Sequence, residues 1–270
     1  MNAAETRNLA HELLVACENG QTVLPPSGRG FGFDLDMAYE VENELKRLRE
    51  AAGHKPVGRK VGYANRAMWR ALKLETLVWA HMYDDTVHHS AGTASLSLPH
   101  VRSLKVEPEI VFALKQPLVS ESTDAAAALA ATAWLAIGFE IIDCPYPEWK
   151  FQPSDFVASF GLHAALVIGE RRQVVAQEVP FLLDQLSGLN LKVFKDGQFV
   201  DQGSGRNALR SPALCLAELA NAIVRRFPDE PLDAGEIISS GTLTSGHPAS
   251  PGDTWSVEAE GFPILTLRLT

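Results

Sequence analysis

The chain has 270 residues, of which 46% are hydrophobic and 21% are charged, so it can bury a full core and is not expected to be disordered. Its net charge of −9 argues against nucleic acid or an anionic membrane as a partner, because both attract clustered Lys and Arg. Three widely spaced cysteines form neither a CxxC metal pattern nor a disulfide framework, and the N-terminal residues lack a signal-peptide pattern. We expect a cytoplasmic protein whose partner is a small molecule.

Residues 1–55 are predicted to be a mostly helical N-terminal portion. Apolar residues recur at helical spacing over 9–17 and again over 37–48, behind the cap candidates Asp34 and Asp36. The intervening PPSGRGFGFD is rich in glycine, but no strand precedes it and no GK[ST] follows it. A connecting turn is therefore favoured over a phosphate-binding loop.

Residues 56–270 are predicted to be rich in β-strands and to form the catalytic domain, in one continuous structural unit with the helical portion. Eight short runs have strand-like composition: VGRKVGYA, KVEPEIVFAL, IGFEIID, HAALVIG, LKVFKDGQFV, EIISSGTL, TWSVEA and ILTLRL. Asp196 and Gly197, in the fifth run, predict a hairpin turn.

Two helices are expected to interrupt these strands. One runs from the cap candidates Thr123 or Asp124 to Ala136, and the other starts at Ser211 with Pro212 in its first position. Strands outnumber helices without regular βαβ alternation. The predicted fold class is therefore α+β: a β-rich mixed-sheet roll with an N-terminal helical cap.

Two glutamates open the apolar run KVEPEIVFAL. A period of two places Glu107 and Glu109 on one face of the strand, where desolvated carboxylates ~5 Å apart would repel by about 3 kcal/mol at an effective dielectric of ~20. A third acid, Glu140, lies within IGFEIID. One such acid would suit an edge strand or a salt bridge, whereas three on two apolar strands favour a hard divalent cation such as Mg²⁺.

Lys60 and Asp84 are further candidates. Lys60 lies in a β-like run between Gly58 and Gly62, which permit close approach of backbone or ligand, and it could neutralise acids or move protons. Asp84 lies in HMYDDT. An exposed strand lysine and a solvated turn are the structural alternatives.

Together these stretches resemble a known family. DLDMAYEVENEL, VGRKVGYANRAM, HMYDDT, KVEPEIVFAL, IGFEIID, FKDGQFVDQGSG, GEIISSGTLT and SPGDTWSVEAEGFPILTLRL are similar to the 2-keto-4-pentenoate hydratase and 4-oxalocrotonate decarboxylase branch of the fumarylacetoacetate hydrolase superfamily. The resemblance implies the C-terminal roll of that superfamily, a closed homo-oligomer, and Mg²⁺ or Mn²⁺ held by Glu107, Glu109 and Glu140. It also implies catalytic roles for Lys60 and Asp84, and we expect the Asp84 carboxylate to neighbour Lys60 and to help hold the pKa of that lysine near a useful value.

The chain departs from this branch at two places. Residues 143–145 read Asp-Cys-Pro where Asp-Ser-Arg is usual, so a positive substrate contact is expected to be missing. Residues 159–162 replace a usual Asp-Asn-Ala-Ser stretch. Thr242, His163 and Trp149 are the candidate substrate-binding residues.

The resemblance implies a hydratase acting on a 2-hydroxydienoate or 2-keto-enoic acid. A 4-oxalocrotonate-type decarboxylase would share the same metal site and is the first alternative. Acylpyruvate hydrolysis is the second; its usual water-activating stretch is absent, and His81 or His163 would have to substitute. A catalytically silent scaffold that binds metal or keto acid is the non-enzyme alternative.

Overall fold

The structure is a computed structural model that describes all 270 residues, arranged in seven α-helices and fourteen β-strands. The helices are α1 (Ala3–Glu18), α2 (Leu35–Ala51), α3 (Arg66–Leu72), α4 (Ala125–Ala130), α5 (Pro153–Val157), α6 (Val179–Gly188) and α7 (Pro212–Arg226). The strands are β1 (Pro56–Gly62), β2 (Val78–Tyr83), β3 (Val87–His89), β4 (Thr93–Leu96), β5 (Leu104–Leu114), β6 (Thr132–Asp143), β7 (His163–Ile168), β8 (Arg172–Gln173), β9 (Asn190–Lys195), β10 (Gln198–Ser204), β11 (Ile237–Ser239), β12 (His247–Ala249), β13 (Thr254–Ala259) and β14 (Leu265–Leu269).

The larger sheet is curled into a roll. Its strands follow the order β2-β1-β11-β5-β6-β7-β3, with β12 beside β5 and β8 beside β6. The two end strands, β2 and β3, are consecutive in the chain and are joined only by residues 84–86, so the ends of the sheet lie close together. A second sheet has the order β10-β9-β13-β14-β4. The predicted α+β mixed-sheet roll is confirmed.

The two faces of β5 have different neighbours. Its outer residues Val106, Ile110 and Phe112 belong to a core of 66 buried residues that includes the helices and the second sheet. Its inner residues Val111 and Ala113 belong to a separate cluster of 7 buried residues inside the roll. The predicted alternation is therefore correct, and it directs the glutamates inward.

The N-terminal helices pack on the outside of this roll. The Asp34 carboxylate accepts a hydrogen bond from Met37 N at 3.0 Å and caps α2, as the sequence indicated. Leu9 of α1 and Leu45 of α2 are buried in the large core. The division of the chain near residue 55 stays a prediction, because helices and strands share that core. None of the helices combines the length and apolarity needed to cross a membrane.

The Ala-rich helix is shorter than predicted. It is capped by Asp124, whose carboxylate accepts from Ala127 N at 2.8 Å, and it ends at Ala130 instead of Ala136. Strand β6 begins at Thr132 because its first residues pair with β5, where Thr132 lies opposite Leu114. Sheet pairing thus overrides the helix propensity of alanine. The predicted α7 helix and the hairpin between β9 and β10 are confirmed.

Gly58 is required by the parallel pairing of β1 with β11. A Cβ at this position would overlap the carbonyl of Ile237, whereas no heavy atom lies within 4 Å of a Cβ placed at Gly188. We predict that Gly58→Ala lowers the free energy of unfolding by roughly 2–3 kcal/mol, because the strands must separate. Gly188→Ala, at the end of α6, is the matched control and should change it by less than about 1 kcal/mol. Urea unfolding measures both; equal midpoints for Gly58→Ala and the unaltered protein would contradict the close approach.

Candidate metal centre

The register of β5 and β6 brings three glutamates together inside the roll. Glu107 lies directly opposite Glu140, and Glu109 lies opposite Gly138, one step along the same face. A ligand oxygen from each of the three carboxylates lies within 4.8 Å of the others. Glu109 and Glu140 are buried, with 1% and 0% of their surface exposed, and Glu107 is partly buried at the edge of the cluster. The predicted three-carboxylate arrangement is therefore present.

Lys60 completes this cluster from β1. Its Nζ lies 3.0 Å from Glu140 Oε2 and donates a hydrogen bond to Gly161 O at 2.9 Å. The Phe156 ring covers the ammonium at 4.8 Å from the ring centroid. A Cβ at Gly161 would lie 2.5 Å from Lys60 Cδ, so a glycine is needed where the chain passes the lysine. Lys60 is only 2% exposed, which rules out the alternative of an exposed strand lysine.

Hydrogen bonds that were not predicted from the sequence hold two of the carboxylates. Ser239 Oγ and Gly241 N donate to Glu109 Oε2, the latter at 2.8 Å. His163 Nδ1 lies 2.9 Å from Glu140 Oε1, and its Nε2 lies 3.0 Å from Thr86 Oγ1. These partners orient the carboxylates, as outer partners of metal ligands commonly do. The pairing of Lys60 with Ser239 in β1 and β11 depends on the sheet order, which the sequence did not reveal.

The pKa values in this cluster reflect burial of charge. Burial, opposed by Lys60, raises the pKa of Glu107 to about 7. Burial, together with the charges of Glu140 and Glu107, raises the pKa of Glu109 well above its usual value. Burial also acts to raise the pKa of Glu140, but Lys60 and His163 outweigh it and leave that pKa lowered. For Lys60, burial is the largest single effect and acts to lower the pKa. The three glutamates together outweigh it, so the pKa of Lys60 lies above its usual value.

The cluster fits a divalent cation. Three ionised carboxylates and one ammonium would leave two negative charges buried without compensation, and a dication supplies that compensation. Glu109 Oε1 is buried and has no hydrogen-bond partner in the chain, although such oxygens normally have one. Glu140 Oε2 has only its ion-pair contact with Lys60. Carboxylate oxygens are the donors that Mg²⁺, Mn²⁺ and Ca²⁺ prefer.

A cavity of about 550 Å³ opens in front of this cluster. Lys60 and Glu107 line its inner end. Trp149 and Thr242, two of the predicted substrate-binding residues, line it as well. Its apolar wall is formed by Met68, Ile142, Phe151, Phe156 and Leu162. The cavity therefore offers a chelating end and a hydrophobic body, the usual composition of a small-molecule site.

Two predicted residues lie elsewhere. His163 does not line the cavity; it lies behind Glu140, and its Nδ1 contacts that carboxylate. Asp84 lies in an exposed turn, where its carboxylate accepts from Lys55 N at 3.0 Å. The expected pairing of Asp84 with Lys60 is wrong, because Lys60 is in register with Ala80, four residues before Asp84. The carboxylate that neighbours Lys60 is Glu140.

Neither candidate base for hydrolysis faces the cavity. His81 Nδ1 lies 2.5 Å from Glu42 Oε1 of α2, and His81 alternates with Ala80, so it lies on the outer face of β2. Both ring nitrogens of His163 have partners in the chain. The structure thus places no free histidine beside the carboxylate cluster.

Comparison with known proteins agrees with this geometry. Residues 53–270 match the family model described as fumarylacetoacetate (FAA) hydrolase C-terminal. The chain therefore belongs to the fumarylacetoacetate hydrolase family, and the resemblance inferred from its motifs is confirmed.

Its relatives include both hydratases and decarboxylases. The chain is 29% identical over 258 residues to 2-hydroxyhexa-2,4-dienoate hydratase of Comamonas testosteroni, with 96% of this chain and 95% of that protein covered. It is 32% identical over 232 residues to 4-oxalocrotonate decarboxylase of a Pseudomonas strain, with 86% of this chain and 84% of that protein covered. The solved structure of 4-oxalocrotonate decarboxylase from Pseudomonas putida G7, complexed with magnesium and adipate, superposes with a TM-score of 0.90 at 26% identity and covers 100% of this chain and 99% of that chain.

Glu109 provides the most direct test of the metal site. We predict that Glu109→Gln weakens Mg²⁺ and Mn²⁺ binding by more than the ~10–100-fold typical of losing an outer partner, while the fold is retained. A neutral amide can accept the same hydrogen bonds from Ser239 and Gly241, so the metal-free variant should be no less stable than the unaltered protein. Calorimetric titration measures affinity, and Glu258→Gln, an exposed strand glutamate of β13, is the control. Undiminished affinity in Glu109→Gln would remove it from the ligand set.

Metal binding should release protons. Glu107, whose pKa is raised to about 7 in the metal-free protein, is partly protonated near neutrality, the pKa of Glu109 is raised as well, and a cation binds the ionised forms of both. Affinity should therefore rise as the pH increases from about 6 to about 8. Calorimetry in two buffers of different ionisation enthalpy counts the protons released. Equal enthalpies in the two buffers, with an affinity independent of pH, would be the contrary result.

Proposed function

We propose that this protein is a divalent-metal-dependent hydratase that acts on a 2-hydroxydienoate or 2-keto-enoic acid of the 2-keto-4-pentenoate type, with Mg²⁺ or Mn²⁺ as cofactor. The observation that carries the proposal is the cluster of Glu107, Glu109 and Glu140 with Lys60, at the inner end of a cavity that has an apolar wall. Hydratases of dienoates are among the relatives that the chain matches over nearly its whole length. The proposal places the protein among the lyases.

The ligand set gives the substrate its orientation. When bound, a divalent cation would act as a Lewis acid toward the carboxylate and adjacent oxygen of the substrate. Glu107, Glu109 and Glu140 would hold that cation at the closed end of the cavity. Phe156 and Leu162 line the cavity with apolar side chains, and the Phe156 ring covers the Lys60 ammonium. The hydrocarbon part of the substrate then lies along the apolar wall.

Lys60 is the candidate for proton transfer or charge stabilisation. Its ammonium lies beside Glu140 and faces the cavity, where negative charge would develop on the substrate. Gly161 O and Phe156 fix its position from the other side. Enol–keto interconversion and addition of water to the conjugated alkene both need a proton to be moved at this end.

Decarboxylation is the second candidate. It is favoured by the high structural similarity to 4-oxalocrotonate decarboxylase, and it requires the same electron-accepting end of the site. Acylpyruvate hydrolysis is supported less well, because His81 lies outside the cavity and His163 lies behind Glu140. A silent scaffold would bind a keto acid without turnover.

A substrate panel separates these candidates. Incubation with 2-hydroxydienoates, 4-oxalocrotonate and acylpyruvates in the presence of Mg²⁺ is expected to give a product that has gained water, as detected by mass spectrometry and loss of dienoate absorbance. Loss of CO₂ would indicate the decarboxylase, and two acid fragments would indicate hydrolysis. Binding without turnover of any compound would contradict an enzymatic role. A closed homo-oligomer stays a prediction, and light scattering measures it.

Lys60→Met tests the role of the lysine. We predict that it lowers kcat by about 10²–10⁴-fold, the usual range for loss of a proton-transfer group, while Mg²⁺ binding is retained because Lys60 is not a ligand. Met preserves the buried stem against Phe156. Lys192→Met, on the exposed side of β9, is the control for loss of one positive charge. Unchanged turnover in Lys60→Met would exclude the lysine from the mechanism.

A further inference from the structure

A second cavity lies outside the roll, between α1 and the outer face of β2; we call it the α1 cavity. Its volume is about 280 Å³, and a space of ~150 Å³ is already large enough for a benzene ring. It is distinct from the cavity in front of the glutamates, because Leu162 is the only residue that lines both. The apolar part of its wall is formed by Leu13, Leu14, Leu98, Val101, Phe160 and Leu162.

Tyr83 lines the α1 cavity and carries an unpaired hydroxyl group. The residue is only 2% exposed, and its hydroxyl group has no hydrogen-bond partner in the chain, although buried hydroxyl groups normally have one. The Arg49 guanidinium lies 4.9 Å from the centroid of the tyrosine ring, and the Phe160 ring packs edge-on at 6.2 Å, so the ring is held in place. Burial raises the pKa of the Tyr83 phenol, which therefore stays protonated and can donate a hydrogen bond.

His81 contributes a second unpaired polar atom to the same wall. Residues two apart on a strand point to the same side, so His81 and Tyr83 share one face of β2. Burial acts to raise the pKa of Glu42, but His81 outweighs it, so the Glu42 carboxylate is ionised and accepts from His81 Nδ1. His81 Nε2 is buried and has no partner in the chain. In the neutral ring this nitrogen is a hydrogen-bond acceptor.

The charged groups in the wall of the α1 cavity are already paired. Arg102 Nη2 lies 2.6 Å from Asp143 Oδ2, and Arg49 Nη2 lies 2.6 Å from Asp85 Oδ1. Glu18, the remaining acid of the wall, is exposed to solvent. A charged ligand would therefore lose its hydration without gaining a free counter-charge, and a neutral ligand is favoured.

Water fills such a space poorly. A buried water needs about two to four polar partners, and the leucine, valine and phenylalanine side chains of the wall offer none. An apolar molecule gains affinity when it displaces weakly held water of this kind. A hydroxyl group on that molecule can donate to His81 Nε2 or accept from the Tyr83 hydroxyl group.

We propose that the α1 cavity is a second ligand site, which binds a small neutral molecule with an apolar ring and a hydroxyl group, such as a phenol. The hydroxyl group of the ligand pairs with the unpaired atoms of His81 and Tyr83, and its ring lies against Leu14 and Phe160. This inference does not depend on the proposed function, because the site lies outside the roll and uses none of the glutamates.

The test compares two probes that share the same apolar body. 4-Ethylphenol carries a hydroxyl group, and ethylbenzene lacks it. In calorimetric titrations of the full chain, 4-ethylphenol should bind at least about tenfold more tightly, because ethylbenzene leaves the buried polar atoms unpaired. Tyr83→Phe should weaken binding of 4-ethylphenol by about two- to tenfold and leave that of ethylbenzene unchanged. The fold should be retained in this variant, because the oxygen that it removes has no partner in the chain.

Tyr63→Phe is the matched control. Tyr63 lines the cavity in front of the glutamates and not the α1 cavity, so its substitution should leave the affinity for 4-ethylphenol unchanged. Leu14→Trp should abolish binding of both probes, because the larger side chain fills the α1 cavity. Absence of binding, equal affinities for the two probes, or a larger loss in Tyr63→Phe than in Tyr83→Phe would overturn the inference. Each of these results would leave the proposed function standing.

Discussion

Three carboxylates and one ammonium buried inside a roll of strands form the constraint on which the remaining structure depends. Glu107, Glu109 and Glu140 repel one another, and Lys60 compensates only part of their charge. The fold accepts this arrangement because β5 and β6 pair over eleven positions, which fixes the glutamates opposite one another. Burying this cluster costs free energy of folding in the metal-free protein, and a bound dication would offset that cost. The site is therefore part of the energetics of the fold.

The outer face of β5 and β6 contributes to the stability of the fold, and the inner face carries the candidate site. Outer residues of β5 and β6 belong to the large core, so the packing that stabilises these strands does not depend on a ligand inside the roll. Inner residues form the small cluster at one end and the polar site at the other. Glycines at positions 58 and 161 permit the close backbone approaches that bring Lys60 to Glu140. A substitution on the inner face can consequently alter the site without removing the core.

Local patterns in the sequence were sufficient to predict the three clustered carboxylates and insufficient to predict the side chains that surround them. Alternation along β5 identified the face that Glu107 and Glu109 share. By contrast, the contacts of Ser239 with Glu109 and of His163 with Glu140 depend on sheet order and register between distant strands. The pairing assumed for Asp84 failed for the same reason. The Ala-rich helix was overextended because pairing of β6 with β5 is a tertiary effect.

We propose that the three inward glutamates form a metal site beside which an oxo acid binds. A crystal structure of the protein grown with Mn²⁺, phased to show anomalous scattering from manganese, would locate the bound cation. One strong anomalous peak is expected between the carboxylates of Glu107, Glu109 and Glu140. The exposed group of His54, Asp84 and Asp85 is the only other set of side chains that brings three such ligands together. A peak at that group alone, with none between the glutamates, would contradict the account.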